Sequence, residues 1–173
     1  MTDRTPTTTK NLDRYGNEAL PWGRAHAELA NGTTGYEIFL GTVGSDGRPH
    51  VAGVGGVWLD GDLYFTSNLA ARKARNLAAN PACTIAVKMA GIDLTLFGAA
   101  AQVRDAAKLM QLAALFRDGG WPAAVVGDAL TAPFSAPSAG PPPWHAFRFT
   151  FDRVVGVATA EPNGATRWEF ARR

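Results

Sequence analysis

Apolar and polar positions alternate through most of this chain, in short runs separated by turn-forming pairs. From Tyr36 to Val43, Tyr36, Ile38 and Leu40 alternate with Glu37, Phe39 and Gly41, the period of a strand buried on at least one side. Ser45-Asp46-Gly47-Arg48 reads as a tight turn, so Pro49–Leu59 should return antiparallel beside it. Asp60-Gly61 predicts a second hairpin, leading into the short strand Leu63–Thr66. Beyond Pro81, Cys83, Ile85, Val87 and Met89 share one strand face, with Lys88 on the other. Ala90-Gly91 turns the chain into a further strand over 93–104. These five strands can be joined by hairpins except where a helix intervenes, and a small antiparallel barrel is the natural way to close them. After a long interruption, His145, Phe147, Phe149 and Phe151 line one face of a sixth strand, residues 154–160 predict a seventh, and Asn163-Gly164 predicts a turn.

The period changes to a helical one in three places. Pro21 opens a helix that Asn31 and Gly32 end, proline being favoured in a first turn. Ser67 and Asn68 are good N-caps for about three turns running to Asn80, where Pro81 disfavours helical geometry. In that helix Ala70, Ala74, Leu77 and Ala78 fall on one face, Arg72, Arg75, Asn76 and Ala79 on another, and Lys73 between them. Asp105 should cap a helix over 106–117, with Leu109, Leu112, Ala113 and Phe116 as its apolar face. Residues 118–143 are rich in Pro, Gly and Ala. Their Trp121, Val125, Val126, Leu130 and Phe134 are too apolar for a solvated linker and should pack across a surface, such as that of a second subunit. Residues 1–20 are expected to be a flexible arm and 21–173 a single domain.

Composition narrows the function classes. A formal net charge of +2, with no run of five like charges, gives no footprint for nucleic acid or a membrane surface. Cys83 is the only cysteine, so no internal disulfide or multi-cysteine metal site can form, and the three histidines lie far apart in sequence without ligand spacing. The polar opening residues lack the apolar core of a signal peptide, and no segment has the length of a membrane span. The expectation is a cytoplasmic protein.

Two stretches stand out chemically. A strand delivering Thr66 and Ser67 to a helix whose first turns carry Arg72 and Lys73 is suited to hold a phosphate, because free N–H groups, the helix dipole and two cations converge there. The alternative is a solvated basic face. Gly53, Gly55 and Gly56 in the middle of a strand mark either a bend or a place where a ligand approaches closely. His50 and His145 are candidate proton donors or structural residues, Asp60 and Asp62 read as turn chemistry, and the Trp168 ring could cap the barrel or stack on a planar ligand.

The DGRPH turn, the LYF strand and the RKARNL helix start, together with GPPPW and ATRW, strongly resemble the pyridoxamine 5'-phosphate oxidase-like superfamily over about Pro21 to Phe170. The resemblance implies a mainly β, antiparallel split barrel that forms homodimers and binds FMN or its deazaflavin relative, coenzyme F420, at the subunit interface. By resemblance, Gly53, Val54, Gly55, Gly56, Val57 and Trp58 would lie against the cofactor ring, with Thr66, Ser67, Arg72, Lys73 and Asn76 at its phosphate end. Arg167 and Trp168 would approach from the C-terminal side. The chain ends in GATRWEFARR, without the histidine and arginine-rich segment that reads the vitamin's phosphate in true pyridoxamine phosphate oxidases. The implied activity is therefore an F420H2-dependent reductase acting on a small, electron-poor conjugated substrate. The alternatives are an FMN-dependent oxidoreductase or a cofactor-binding protein without chemistry of its own.

Overall fold

The structure, a computed structural model, describes residues 4–31 and 36–172. Six antiparallel strands close on themselves: β2 (Tyr36–Val43), β3 (Pro49–Leu59), β4 (Asp62–Ser67), β5 (Ala82–Met89), β6 (Ile92–Gln102) and β9 (His145–Ala158), in the order β9-β4-β3-β2-β5-β6 with β6 pairing back to β9. The remaining strands are β1 (Thr8–Asn11), β10 (Ala165–Glu169) and a separate hairpin of β7 (Ala124–Val126) and β8 (Ala129–Thr131). Both turns between β2, β3 and β4 fall where expected. Asp60 and Gly61 have φ of 52° and 82°, the left-handed pair that a tight hairpin requires.

The inward residues of the barrel form one core. Ile38, Leu40, Leu63, Phe65, Ile85, Leu94, Leu96, Phe149 and Trp168 are each no more than 2% exposed, and burying each such side chain favours folding by about 1.5–3 kcal/mol. Helix α1 (Trp22–Asn31) adds Ala25 and Leu29 to this core, and its Trp22 ring packs edge-on to Trp168 and Phe170. Helix α3 (Ala106–Asp118) lies outside the barrel, with Leu109, Leu112, Ala113 and Phe116 against Val57, Tyr64 and Ala146. Strand β4 is thereby covered on both sides.

Several expectations are corrected. Residues 154–160 do not form a separate seventh strand, because β9 is one continuous strand of 14 residues. Its first half pairs with β4 and its second with β10, while β6 pairs along its other edge. A bulge at Phe97/Gly98 lets β6 follow the bend. At Gly98 an added Cβ would collide with the carbonyl of Thr150, so only glycine permits this approach. The opening arm is docked rather than flexible over its described part. β1 pairs with β10, and the buried Arg4 donates to the carbonyls of Phe151 (2.5 Å) and Ala171 (3.0 Å). The expected stop at Gly32 lies outside the described residues. In the 118–143 connection, Leu130 is buried and Trp121 packs edge-on to Phe116 and Trp144, while Val125, Val126 and Phe134 remain exposed.

Helix α2 differs most from its sequence pattern. It spans Arg72–Ala79, two turns rather than three, with Ala71 as N-cap and no side-chain cap. The reason is local. Asn68 closes its own turn, its Oδ1 accepting from the Ala70 N–H (2.8 Å) and its carbonyl from that of Ala71 (3.1 Å), and this holds the chain out of helical geometry. Ala74, Leu77 and Asn76 form the buried face, and Ala70 and Ala78 are exposed. Asn80 ends the helix in extended geometry before Pro81, as expected.

Candidate functional site

The β2–β3 hairpin fixes the position of most of the chemistry. Its register pairs Val43 with Pro49, Thr42 with His50, Gly41 with Val51 and Phe39 with Gly53. Residues directly opposite one another on antiparallel strands put their side chains on the same face. Hence Phe39, Val43, Val51, Gly53 and Gly55 look outward, and Thr42 and His50 look toward α2. The outward face is apolar and open. Phe39 is 52% and Val51 64% exposed, and a Cβ added at Gly53 or Gly55 would meet nothing within 4 Å.

On the inner face, the buried Asn76 of α2 donates from Nδ2 to Thr42 Oγ1 (3.0 Å), anchoring the helix to β2 beside His50. Lys73 lies one turn earlier on the same side of α2 and is half-buried. Burial pushes its ammonium below the usual lysine range. The His50 imidazole is lowered as well, by burial first and then by the charges of Arg72 and Lys73. His50 Nδ1 is buried with no hydrogen-bond partner. Among the described residues, no carboxylate is paired with Arg72, Lys73 or Arg75. Arg72 and Lys73, without an acid between them and beside a helix start whose N–H groups have no side-chain cap, are a candidate anion site. His50 also faces a cavity of about 740 Å³, which runs past Val51, Thr84, Phe97 and Arg153 to Arg172. Cys83 borders the same space, but burial pushes its thiol up to about 12, so it is a core residue and not a nucleophile.

The structure separates the other sequence-based candidates. Gly56 faces inward, where a Cβ would stand 2.9 Å from Ile38 Cδ1. Val57 packs under α3, Trp58 lies in the barrel core, and Val54 packs against that core. Thr66 is half-buried, and the buried Ser67 turns its hydroxyl onto the carbonyl of Asn68 (3.0 Å), away from the start of α2. Asn76 is occupied by Thr42. Trp168 has no exposed surface and cannot stack on a ligand as placed; Gly156 makes room for it, since a Cβ there would stand 2.7 Å from its ring. Arg167 pairs with Glu169 (3.2 Å) on β10, which is separated from β3 by β9 and β4. Thus Gly53 and Gly55 stay on the open outward face of β3, while Arg72 and Lys73 act together on His50 from α2. The sequence pattern offers His50 only as a proton donor or a structural residue. Centring the β2–β3 turn on Asp46 would have placed it opposite Thr42.

A closed antiparallel barrel with an uncapped, cation-bearing helix beside a glycine-rich strand is the architecture of the split β-barrels. The chain belongs to the pyridoxamine 5'-phosphate oxidase family, whose model matches residues 36–158. Among solved structures it is similar to a pyridoxamine 5'-phosphate oxidase-related, FMN-binding protein from Nostoc punctiforme, with 18% identity, 90% of this chain and 93% of that one covered, and a TM-score of 0.57. It is also similar to PhzG from Burkholderia lata in complex with tetrahydrophenazine-1-carboxylic acid, with 14% identity, 87% and 85% covered, and a TM-score of 0.57. An F420 reductase matches with 22% identity over 78% of this chain and 93% of that one, at a TM-score of 0.49. No curated protein matches the chain significantly. At these identities the first two likenesses establish the fold alone.

Proposed function

We propose that this protein is an oxidoreductase that holds a flavin-type cofactor by its phosphate end at Arg72 and Lys73 and lays the ring along the outward face of β3 at Gly53 and Gly55. One observation carries this reading: Arg72 and Lys73, with no acid paired to either among the described residues, act on His50 of the same strand whose Gly53 and Gly55 leave an open outward face. The residues fit the cofactor's two ends. Arg72 and Lys73 supply charge-assisted donors for an anion, and the glycines leave a planar ring room to approach the backbone. F420 is the cofactor favoured by the ARKARNL and GPPPW motifs, and FMN is the alternative. Such a cofactor, when reduced, supplies a hydride to an electron-poor conjugated substrate. The chain's own part is to fix the phosphate end, shield one side of the ring with the β-sheet, and present an apolar surface through Phe39, Val43 and Val51. No side chain is required as an acid or base.

That apolar surface also supports a homodimer with the cofactor between subunits, since exposed patches of this kind mark interaction sites. In such a dimer Arg167 would reach the ring only from the second copy. No helix is long and apolar enough to cross a membrane, and a cytoplasmic location remains part of this proposal. The test is a parallel fluorescence titration of the stripped protein with FMN and F420, followed by reoxidation of the bound, reduced cofactor with quinones, enones and nitroaromatics. Tight binding with accelerated reoxidation supports the oxidoreductase. Binding without acceleration leaves a carrier, and binding of neither overturns the reading.

A further inference from the structure

We propose that His50 is the third anion ligand of the phosphate site and becomes an imidazolium when the anion arrives, so that cofactor binding takes up a proton from solvent. This rests on the phosphate site proposed above. The argument begins with strand register. His50 stands opposite Thr42, whose hydroxyl is held by Asn76, and Asn76 is one turn from Lys73 on α2. His50 is therefore fixed against the cationic side of the helix. Its buried Nδ1 has no partner, and a buried polar atom without one is a standing cost that a ligand oxygen would relieve.

The surrounding groups settle the direction of any pH effect. α2 offers Arg72 and Lys73, both cationic. β2 offers the uncharged Thr42, and β5 offers Cys83, whose thiol stays protonated. Across the cavity, Asp152 is paired with Arg172 (2.9 Å) and Arg153 lies over the Phe97 ring. Nothing else on these elements competes for the proton. In the free protein burial, and then the two cations, lower the His50 pKa and so favour the neutral imidazole. An anion placed among the three reverses the charge term and favours the imidazolium. Linkage then requires affinity to fall as pH rises between the free and bound pKa of His50, by up to about tenfold per pH unit.

The test compares wild type with His50→Asn, which keeps a donor near the Nδ1 position but cannot ionise. FMN and F420 are titrated calorimetrically from about pH 6 to about pH 8 in buffers of different ionisation enthalpy, which counts protons. Comparing the two proteins cancels any titration of the ligand itself. The expected result is proton uptake and a falling affinity in wild type, with His50→Asn about tenfold weaker at the acidic end and converging at the basic end. Identical profiles would overturn the proposal, because a merely structural His50 would shift affinity without changing its slope. Imidazole NMR with inorganic phosphate separates the two hypotheses, His50→Asn identifying the signal among the three histidines. If neither cofactor binds but phosphate raises the His50 pKa, the cofactor reading fails and the anion ligand stands. A cofactor that binds with no response from His50 upholds the cofactor site and overturns the role given to His50.

Discussion

Lys73 is half-buried and, among the described residues, no acid is paired with it, so a bound anion would be favoured beside it. Lys73→Ala should therefore weaken cofactor binding by about 1–3 kcal/mol, the worth of a charged hydrogen bond, without lowering thermal stability. Fluorescence titration beside a melting curve checks both, and unchanged affinity would remove Lys73 from the site. Gly55 tests the ring end. Its Cβ would meet open space, and valine suits a strand, so Gly55→Val should fold normally yet bind FMN or F420 at least about tenfold more weakly, by more than about 1.4 kcal/mol. A variant that binds normally would move the ring elsewhere. At this scale the sequence singles out the cations and the glycines as candidates but cannot divide the Gly53–Trp58 stretch, because inward and outward positions depend on which face the barrel closes over.

Among the elements, α3 was legible in full. Its cap and its four buried residues follow from an acidic residue preceding a regular 3.6-residue pattern, and Asp105 Oδ1 does accept from the Lys108 N–H at 2.7 Å. Asp105→Ala should cost about 1 kcal/mol in urea unfolding, and no loss would mean that the cap is replaced by solvent. Helix α2 starts later than its pattern suggests because Ser67 and Asn68 are equally good turn formers, and the turn prevailed. The β7–β8 hairpin is invisible in the pattern because three-residue strands carry too few alternations to register. Strand β9 looks like two because its polar centre, Asp152-Arg153, coincides with the bulge and the change of partner from β4 to β10.

For the molecule as a whole, the opening segment belongs to the barrel. Arg4 stacks on Phe151 and Phe170 (4.4 and 5.1 Å) and approaches the buried Asp62 at 4.0 Å, while Asp62 also accepts from Arg148 Nε at 2.6 Å. Polar residues near a terminus read as a loose arm, since no local pattern announces partners more than a hundred residues away. Arg4→Ala should destabilise the protein by about 2–4 kcal/mol, by leaving buried acceptors unmatched. Chemical denaturation measures this, and a change below about 0.5 kcal/mol would show the arm to be dispensable. The shared strand β9 also imposes an order on assembly. It pairs with β4, some eighty positions earlier, and with β6, some fifty earlier, so a chain emerging from the ribosome must wait for residue 158 before the circle can be completed. Until then two sheet edges have no neighbour, and the nascent chain is at its most prone to aggregate in that interval. Closure over such sequence separations costs more chain entropy than any of the hairpins before it.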